Sequence, residues 1–169
     1  MIQVLAGLVG GALALIGVFL AQALTARAAR RQRIATLGAQ YLAEGAMAMD
    51  YLSMLRRAEP DDPANARVPA DEVPHLGVAI TAGSELGLIC GKATALQVNA
   101  VAGTLSQLTL LALPWVADQD WYEAVIEFGH QRLQLTHALR RELGRPAMTD
   151  DELGHDAPDV DDPRSTHTP

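Results

Sequence analysis

The sequence predicts an all-α protein: one N-terminal transmembrane helix that continues into an antiparallel three-helix cytoplasmic bundle, followed by a disordered acidic tail. The first observation is that residues 1–26 contain no charged side chain. The second is that residues 27–58 and 76–113 lack proline and carry apolar residues at helical spacing. The third is that residues 146–169 hold seven acidic residues against one arginine, a composition too polar to bury a core.

The N-terminal apolar segment is long enough to be a membrane anchor. A helix needs about 20 apolar residues to cross the hydrocarbon core, and residues 2–24 meet that length. A cleaved signal peptide carries its positive charge before the apolar run, so the charge order here favours a retained anchor over cleavage near Ala26. The positive-inside rule puts the N-terminus outside and the rest of the chain in the cytoplasm. Of the 13 basic residues 12 are arginine, and alanine is abundant, which indicates high-GC bacterial coding and therefore the inner membrane of a bacterium. The basic residues that set this orientation are Arg27, Arg30, Arg31 and Arg33.

Two stripes of small residues predict close helix packing. In lipid, small side chains let two helix backbones approach, which favours self-association. The alternative is that glycine and alanine are simply common in such helices. The first stripe lies within the anchor, at Gly10, Ala14, Gly17 and Ala21, and the second recurs every four residues at Ala79, Gly83, Gly87, Gly91 and Ala95.

The segment 27–58 is predicted to be a cytoplasmic helix continuous with the anchor, extending about 48 Å at 1.5 Å per residue. Its apolar residues recur at mostly three- or four-residue spacing and define a core-facing stripe: Ile34, Leu37, Tyr41, Ala48, Leu52 and Leu55. The next segment, 59–75, contains four prolines and five acidic residues, which predicts a long loop.

The segment 76–145 is predicted to complete the bundle as a helical hairpin. Residues 76–113 would form one long helix that is apolar nearly all round and therefore buried. Its large apolar residues are Ile80, Leu86, Leu88, Ile89, Leu96 and Val98. The alternative is a second membrane span over 93–117, against which stand the polar side chains scattered through it.

The last predicted helix opens at Asp120, with Glu123 three residues later as a variant capping box, and ends before Gly144 and Pro146. If the helix before it returns over about 57 Å, the turn at Pro114 lies back near the bilayer. Interfacial belts favour tryptophan and tyrosine, so Trp115, Trp121 and Tyr122 become candidates for such a belt. The alternative is that these aromatic residues plug the end of the bundle.

The sequence predicts no enzyme, no cofactor and no metal site. Glu127 and His130 have the ExxH spacing of di-iron helices, but such a site needs a second ExxH helix and two further carboxylates. Cys90 is the one cysteine, so no intrachain disulfide can form. The negative net charge of −7 and its acidic C-terminal end exclude nucleic acid as an expected partner.

These features favour a membrane-tethered interaction or scaffold protein that self-associates or binds a protein partner at the inner face of the membrane. The lipid bilayer is its first expected partner, and a second copy of the chain or another protein is the second. The alternative is a membrane-active protein, such as a small channel, an effector or a transporter accessory, in which residues 76–116 insert into the bilayer.

Overall fold

The structure is a computed structural model that describes residues 2–57, 73–112, 117–146 and 148, and residues 2–16 by their backbone only. Within these ranges it contains four helices and no strand, which confirms the all-α class. The helices are α1 (Ile2–Arg57), α2 (Leu76–Ile89), α3 (Lys92–Leu111) and α4 (Asp118–Glu142).

Helix α1 is one uninterrupted helix of 56 residues, in agreement with the predicted rod. Its predicted apolar stripe is the face that the other helices cover. Ile34, Tyr41, Ala48 and Leu52 are buried, and the remaining stripe residues pack partly buried against them. This part of the fold follows from apolar periodicity alone, because one helix face is covered and the opposite face is exposed.

The predicted single helix over 76–113 is wrong, because the chain breaks between α2 and α3. Cys90 and Gly91 both have extended backbone conformations, with ψ values of 172° and 160°. The break is stabilised from a distant helix, since both carboxylate oxygens of Glu142 accept the Gly91 N–H at 3.1 Å. The negative charge of Glu142 also interacts favourably with the positive end of the helix dipole at the start of α3. The bundle therefore has four helices rather than three.

The helices alternate in direction along the bundle. Helix α2 is antiparallel to α1, since Arg30 bonds the Ile89 carbonyl and Glu44 pairs with His75 at the other end. Helix α3 is parallel to α1, because its last residue, Leu111, lies beside Arg56. Helix α4 returns antiparallel: it begins near Arg56 and ends near Arg30. The α2–α3 turn and the end of α4 therefore lie together beside Arg30.

This reversal determines where the aromatic residues lie relative to the arginine cluster. Trp121 lies under Arg56, whose guanidinium carbon is 5.4 Å from the ring centroid, and it is buried. Arg56 is 26 residues along α1 from Arg30, or about 39 Å, so this is the end of the bundle away from the arginine cluster. Because the chain breaks at Gly91, the turn between α3 and α4 lies at this end of the bundle, which we call the far end. Trp121 therefore plugs the bundle end, Tyr122 is exposed beside it, and Trp115 lies outside the described residues.

The core is centred on Tyr41, whose hydroxyl donates to the Val98 carbonyl at 3.1 Å. Its ring packs on Gly83, where an added Cβ would come within 2.8 Å of the ring. At Gly38, an added Cβ would come within 2.9 Å of the Leu139 side chain from α4. Glycine at these two positions sets how closely α2 and α4 approach α1.

No helix in the described part of the chain is both long and apolar enough to cross a membrane. This finding does not support a span over 93–117. It also gives no support to the anchor predicted over 1–26. The side chains of residues 1–16 lie outside the described residues. The anchor stays a prediction. Residues 59–72 of the predicted loop, residue 58 before it, and nearly all of the predicted tail over 146–169 are also outside the described part.

Candidate functional site

The N-terminal part of α1 extends beyond the bundle without a partner helix in the described chain. Every residue from 17 to 33 is exposed. Gly17 and Ala21 of the first small-residue stripe lie here, and an added Cβ on Gly17 would touch nothing within 4 Å. Gly10 and Ala14 fall among the residues whose side chains are not described. The exposed large apolar residues of this segment are Val18, Phe19, Leu20 and Leu24.

The arginine cluster lies where α1 enters the bundle, and two of its members hold other helices. Arg30 donates through Nε to the Ile89 carbonyl at 3.0 Å and through Nη2 to Glu142 at 3.1 Å. Arg33 pairs with Glu85 of α2 at 3.0 Å. Arg27 and Arg31 are exposed. The cluster that the sequence assigned to membrane topology therefore also fixes the positions of α2 and α4.

Three basic residues that the sequence interpretation did not connect with this cluster join it in the fold. Lys92 begins α3 directly after Gly91, Arg141 precedes Glu142, and Arg145 lies three residues after the end of α4. All three are exposed. We call the resulting surface the basic end; it comprises Arg27, Arg30, Arg31, Arg33, Lys92, Arg141 and Arg145.

The basic end carries more positive charge than its acidic residues balance. Glu142 and Glu85 are already paired with Arg30 and Arg33. In the described part of the chain no carboxylate lies within ion-pair distance of the remaining basic residues, Arg27, Arg31, Lys92, Arg141 and Arg145. Such a surface attracts anionic partners.

A cleft of about 280 Å³ opens between α2 and α3. Its lining includes three residues of the second small-residue stripe: Gly83, Gly87 and Ala95. Ala79 of the same stripe is buried in the core. Gly91 is displaced from the stripe because it caps α3. The other lining residues are Tyr41, Ile80, Ser84, Leu88, Val98, Asn99 and Ala102. We call this surface the α2–α3 cleft.

Large apolar residues on the outer sides of α2 and α3 are exposed, which corrects the prediction of a helix buried all round. Leu88 is 87% exposed at the last turn of α2, and Ile80 and Leu96 are more than half exposed. Helix α2 packs mainly on α1 and α3, and its contact with α4 is slight. A contiguous apolar surface of this kind is typical of an interaction site.

Other candidate groups do not form a site. Glu127 and His130 are both exposed on α4, with 4.0 Å between Glu127 Oε2 and His130 Nδ1. Among the described residues, no group of three or more His, Cys, Asp or Glu side chains could hold a metal ion. Cys90 lies partly buried at the α2–α3 turn, where burial first and the nearby Glu142 carboxylate second raise the pKa of its thiol.

Comparison with known proteins identifies no relative. No protein-family model matches the sequence, and no curated protein and no solved structure matches it either. Three surfaces of the described chain are therefore the candidate functional sites: the exposed apolar part of α1, the basic end and the α2–α3 cleft.

Proposed function

We propose that the protein is a membrane-tethered helical interaction protein of a bacterial inner membrane. Residues 1–26 form the anchor, with the N-terminus outside, and the four-helix bundle lies on the cytoplasmic side. The bundle self-associates or binds a protein partner through the α2–α3 cleft. No enzymatic activity is proposed.

The observation that carries the proposal is the position of the exposed apolar helix relative to the bundle. The first 26 residues carry no charge, and the arginines begin where the other helices meet α1. Exposed apolar side chains such as Phe19 and Leu24 are unfavourable in water unless something covers them. A bilayer covers such a helix, and the arginines mark its cytoplasmic boundary.

Cysteine labelling in intact cells tests the anchor and its orientation. In a Cys90→Ser background, Gln3→Cys should react with a membrane-impermeant maleimide added outside. Gln119→Cys, exposed on α4, should react only after lysis. Leu13→Arg is the matched variant that weakens the anchor, because an arginine at the centre of a span makes the insertion free energy less favourable by about 3 kcal/mol. Release of the unaltered protein by alkaline carbonate would refute the tether.

Crosslinking tests the cleft, and the chain offers a matched pair of serines. Ser84 lines the cleft, whereas Ser106 lies on α3 one turn beyond Ala102 and does not line it; both serines are exposed and donate to the carbonyl four residues earlier. In membranes, Ser84→Cys should crosslink with a bismaleimide at least tenfold more than Ser106→Cys, in the same Cys90→Ser background. A product of twice the chain mass identifies self-association. Equal yields from the two positions would exclude the cleft as the interface.

A further inference from the structure

The fold brings the basic end and one strongly exposed leucine to the same level of the molecule. Leu88 is beside Arg30 and Arg33, with which it lines a shallow pocket that also includes Ala29 and Ile89. The residues that line it come from α1 and from the last turn of α2. Segments that bind anionic lipid surfaces combine exposed apolar side chains such as leucine with neighbouring basic residues.

The level of this surface along α1 corresponds to the lipid headgroups. From Ala26, the end of the predicted anchor, to Arg30 the helix rises about 6 Å. The headgroup layer on each side of the hydrocarbon core is about 5–8 Å thick. Because Arg30 bonds directly to Ile89, the α2–α3 turn and Leu88 lie at that depth once residues 1–26 are inserted.

The charges at this level complement an anionic membrane. The five basic residues that are not paired with a carboxylate in the described chain come from α1, from the start of α3 and from the end of α4. Each basic residue near an anionic leaflet contributes about fivefold to the binding equilibrium. Glu142 and Glu85 do not cancel this charge, because Arg30 and Arg33 already neutralise them.

We propose that the basic end binds the anionic phospholipid headgroups of the inner leaflet, with Leu88 inserted among them, and that this contact holds the bundle against the membrane. The proposal rests on the proposed anchor. It adds a second membrane contact, which is made by the bundle itself and is specific for anionic lipid. The α2–α3 cleft, of which Leu88 forms one end, then opens next to the bilayer surface.

The test uses the full chain in nanodiscs, with an environment-sensitive fluorophore on a single cysteine. Leu88→Cys reports on the basic end, and Ile126→Cys, exposed on α4 toward the far end, is the matched control; both carry Cys90→Ser. Nanodiscs contain either pure phosphatidylcholine or about one-third phosphatidylglycerol. With phosphatidylglycerol, the label at position 88 should shift to the blue and be quenched by a lipid-borne quencher, while the label at position 126 stays in water.

Charge variants make the test specific. Lys92→Glu together with Arg141→Glu and Arg145→Glu should lower the docked-to-undocked ratio at least 100-fold, from about fivefold for each residue. Arg57→Glu, an exposed arginine at the far end, should leave the ratio unchanged. Salt at about 1 M should also release the label at position 88, because it shortens the screening length to about 3 Å. Circular dichroism confirms that each variant retains its helices.

The remaining outcomes overturn the proposal in distinguishable ways. A label at position 88 that stays in water in both lipids, on protein that still floats with its nanodisc, refutes docking and leaves the tether intact. Protein that never associates with lipid refutes the tether itself. An equal shift in both lipids removes the specificity for anionic headgroups. A shift that depends on the density of protein in the nanodisc indicates that a second copy of the chain covers the basic end. A shift that is lost when the acidic residues of 146–169 are neutralised indicates that the tail covers it.

Discussion

The two ends of the bundle use the same kind of arginine clamp with opposite burial. At the basic end Arg30 bonds the carbonyl of Ile89, at the end of α2, and the carboxylate of Glu142 on α4. At the far end Arg56 bonds the carbonyl of Leu111, at the end of α3, and the carboxylate of Asp118 on α4. Each arginine thus joins α1 to a helix C-terminus and to α4.

The difference lies in which partner is shielded from water. The Arg30 side chain is 56% exposed and Glu142 only 17%, whereas the Arg56 side chain is 9% exposed and Asp118 is 84% exposed. A hydrogen bond to a shielded charge contributes more than one to a solvated charge, because water competes less for it. The far end therefore depends on its arginine and the basic end on its carboxylate, and the arginines of the basic end stay accessible to solvent.

The largest effect is expected from Arg56→Ala. It removes two hydrogen bonds of 2.8 Å and the packing of the guanidinium on Trp121. We expect a loss of about 3 kcal/mol in the free energy of unfolding, since hydrogen bonds to charged groups contribute about 1.5–3 kcal/mol each. Urea unfolding of the solubilised full chain, followed by tryptophan fluorescence, measures it.

Arg30→Ala and Arg57→Ala are the controls for this comparison. Arg30→Ala should cost about 1 kcal/mol or less, because its ion pair is more than half solvated on the arginine side. Arg57→Ala, exposed beside Arg56, should cost less than about 0.5 kcal/mol. If Arg30→Ala destabilised the protein as much as Arg56→Ala, burial would not distinguish the two clamps.

The second-largest effect is expected from Glu142→Gln, which should lower the free energy of unfolding more than Asp118→Asn does. For the carboxylates, the larger loss is thus at the basic end, whereas for the arginines it is at the far end. Glu142 accepts hydrogen bonds from the Gly91 N–H, the Thr94 hydroxyl and Arg30. The amide that replaces it supplies one acceptor oxygen and no charge, so we expect a loss of about 2 kcal/mol. Asp118→Asn should cost less than about 0.5 kcal/mol, since that carboxylate is mostly solvated.

Hydrogen exchange locates the effect of Glu142→Gln within the fold. The amides of the first turn of α3, from Gly91 to Ala95, should exchange faster, whereas those of α2 near Gly83 should not change. Glu85→Gln, which removes an exposed ion pair with Arg33 at the same end, is the matched control and should leave all of these rates unchanged. Uniformly faster exchange in Glu142→Gln would indicate global destabilisation instead of a lost cap.

The contrast between the clamps also explains what the sequence could and could not predict. The covered face of α1 was predictable, because Ile34, Tyr41, Ala48 and Leu52 repeat with the period of the helix. The break at Gly91 was not, since the carboxylate that stabilises it comes from Glu142, 51 residues later. A local pattern contains no information about such a partner.

One missed break changed the whole arrangement of the candidate site. With a single helix over 76–113, Trp121 would lie near the arginine cluster; with the break, that place is taken by Leu88, Lys92, Arg141 and Arg145. Lys92, a charge within an apolar run and directly after a glycine, was the available signal for a helix end. The exposure of Leu88 was not predictable, since apolarity on all sides of a helix does not tell which side lacks a neighbour.

The smallest effect is expected midway between the clamps, at Tyr41→Phe. The hydroxyl of Tyr41 donates to the Val98 carbonyl at 3.1 Å in the core, so its removal should cost about 1 kcal/mol at neutral pH. Burial raises the pKa of Tyr41 from 10.0 to about 12. The folded chain therefore retains this proton between pH 10 and 12 while the unfolded chain loses it, and stability falls as the pH rises through that window.

Phenylalanine has no proton to lose, so Tyr41→Phe should lose less stability than the unaltered protein from pH 10 to 12, and the two curves should converge there. Tyr122→Phe, exposed on α4, should leave the slope unchanged. Unfolding in urea at a series of pH values measures both slopes. If Tyr41→Phe and the unaltered protein lost stability in parallel, the alkaline transition would arise outside the core. The middle of the bundle would then not be the dry segment that separates the two clamps.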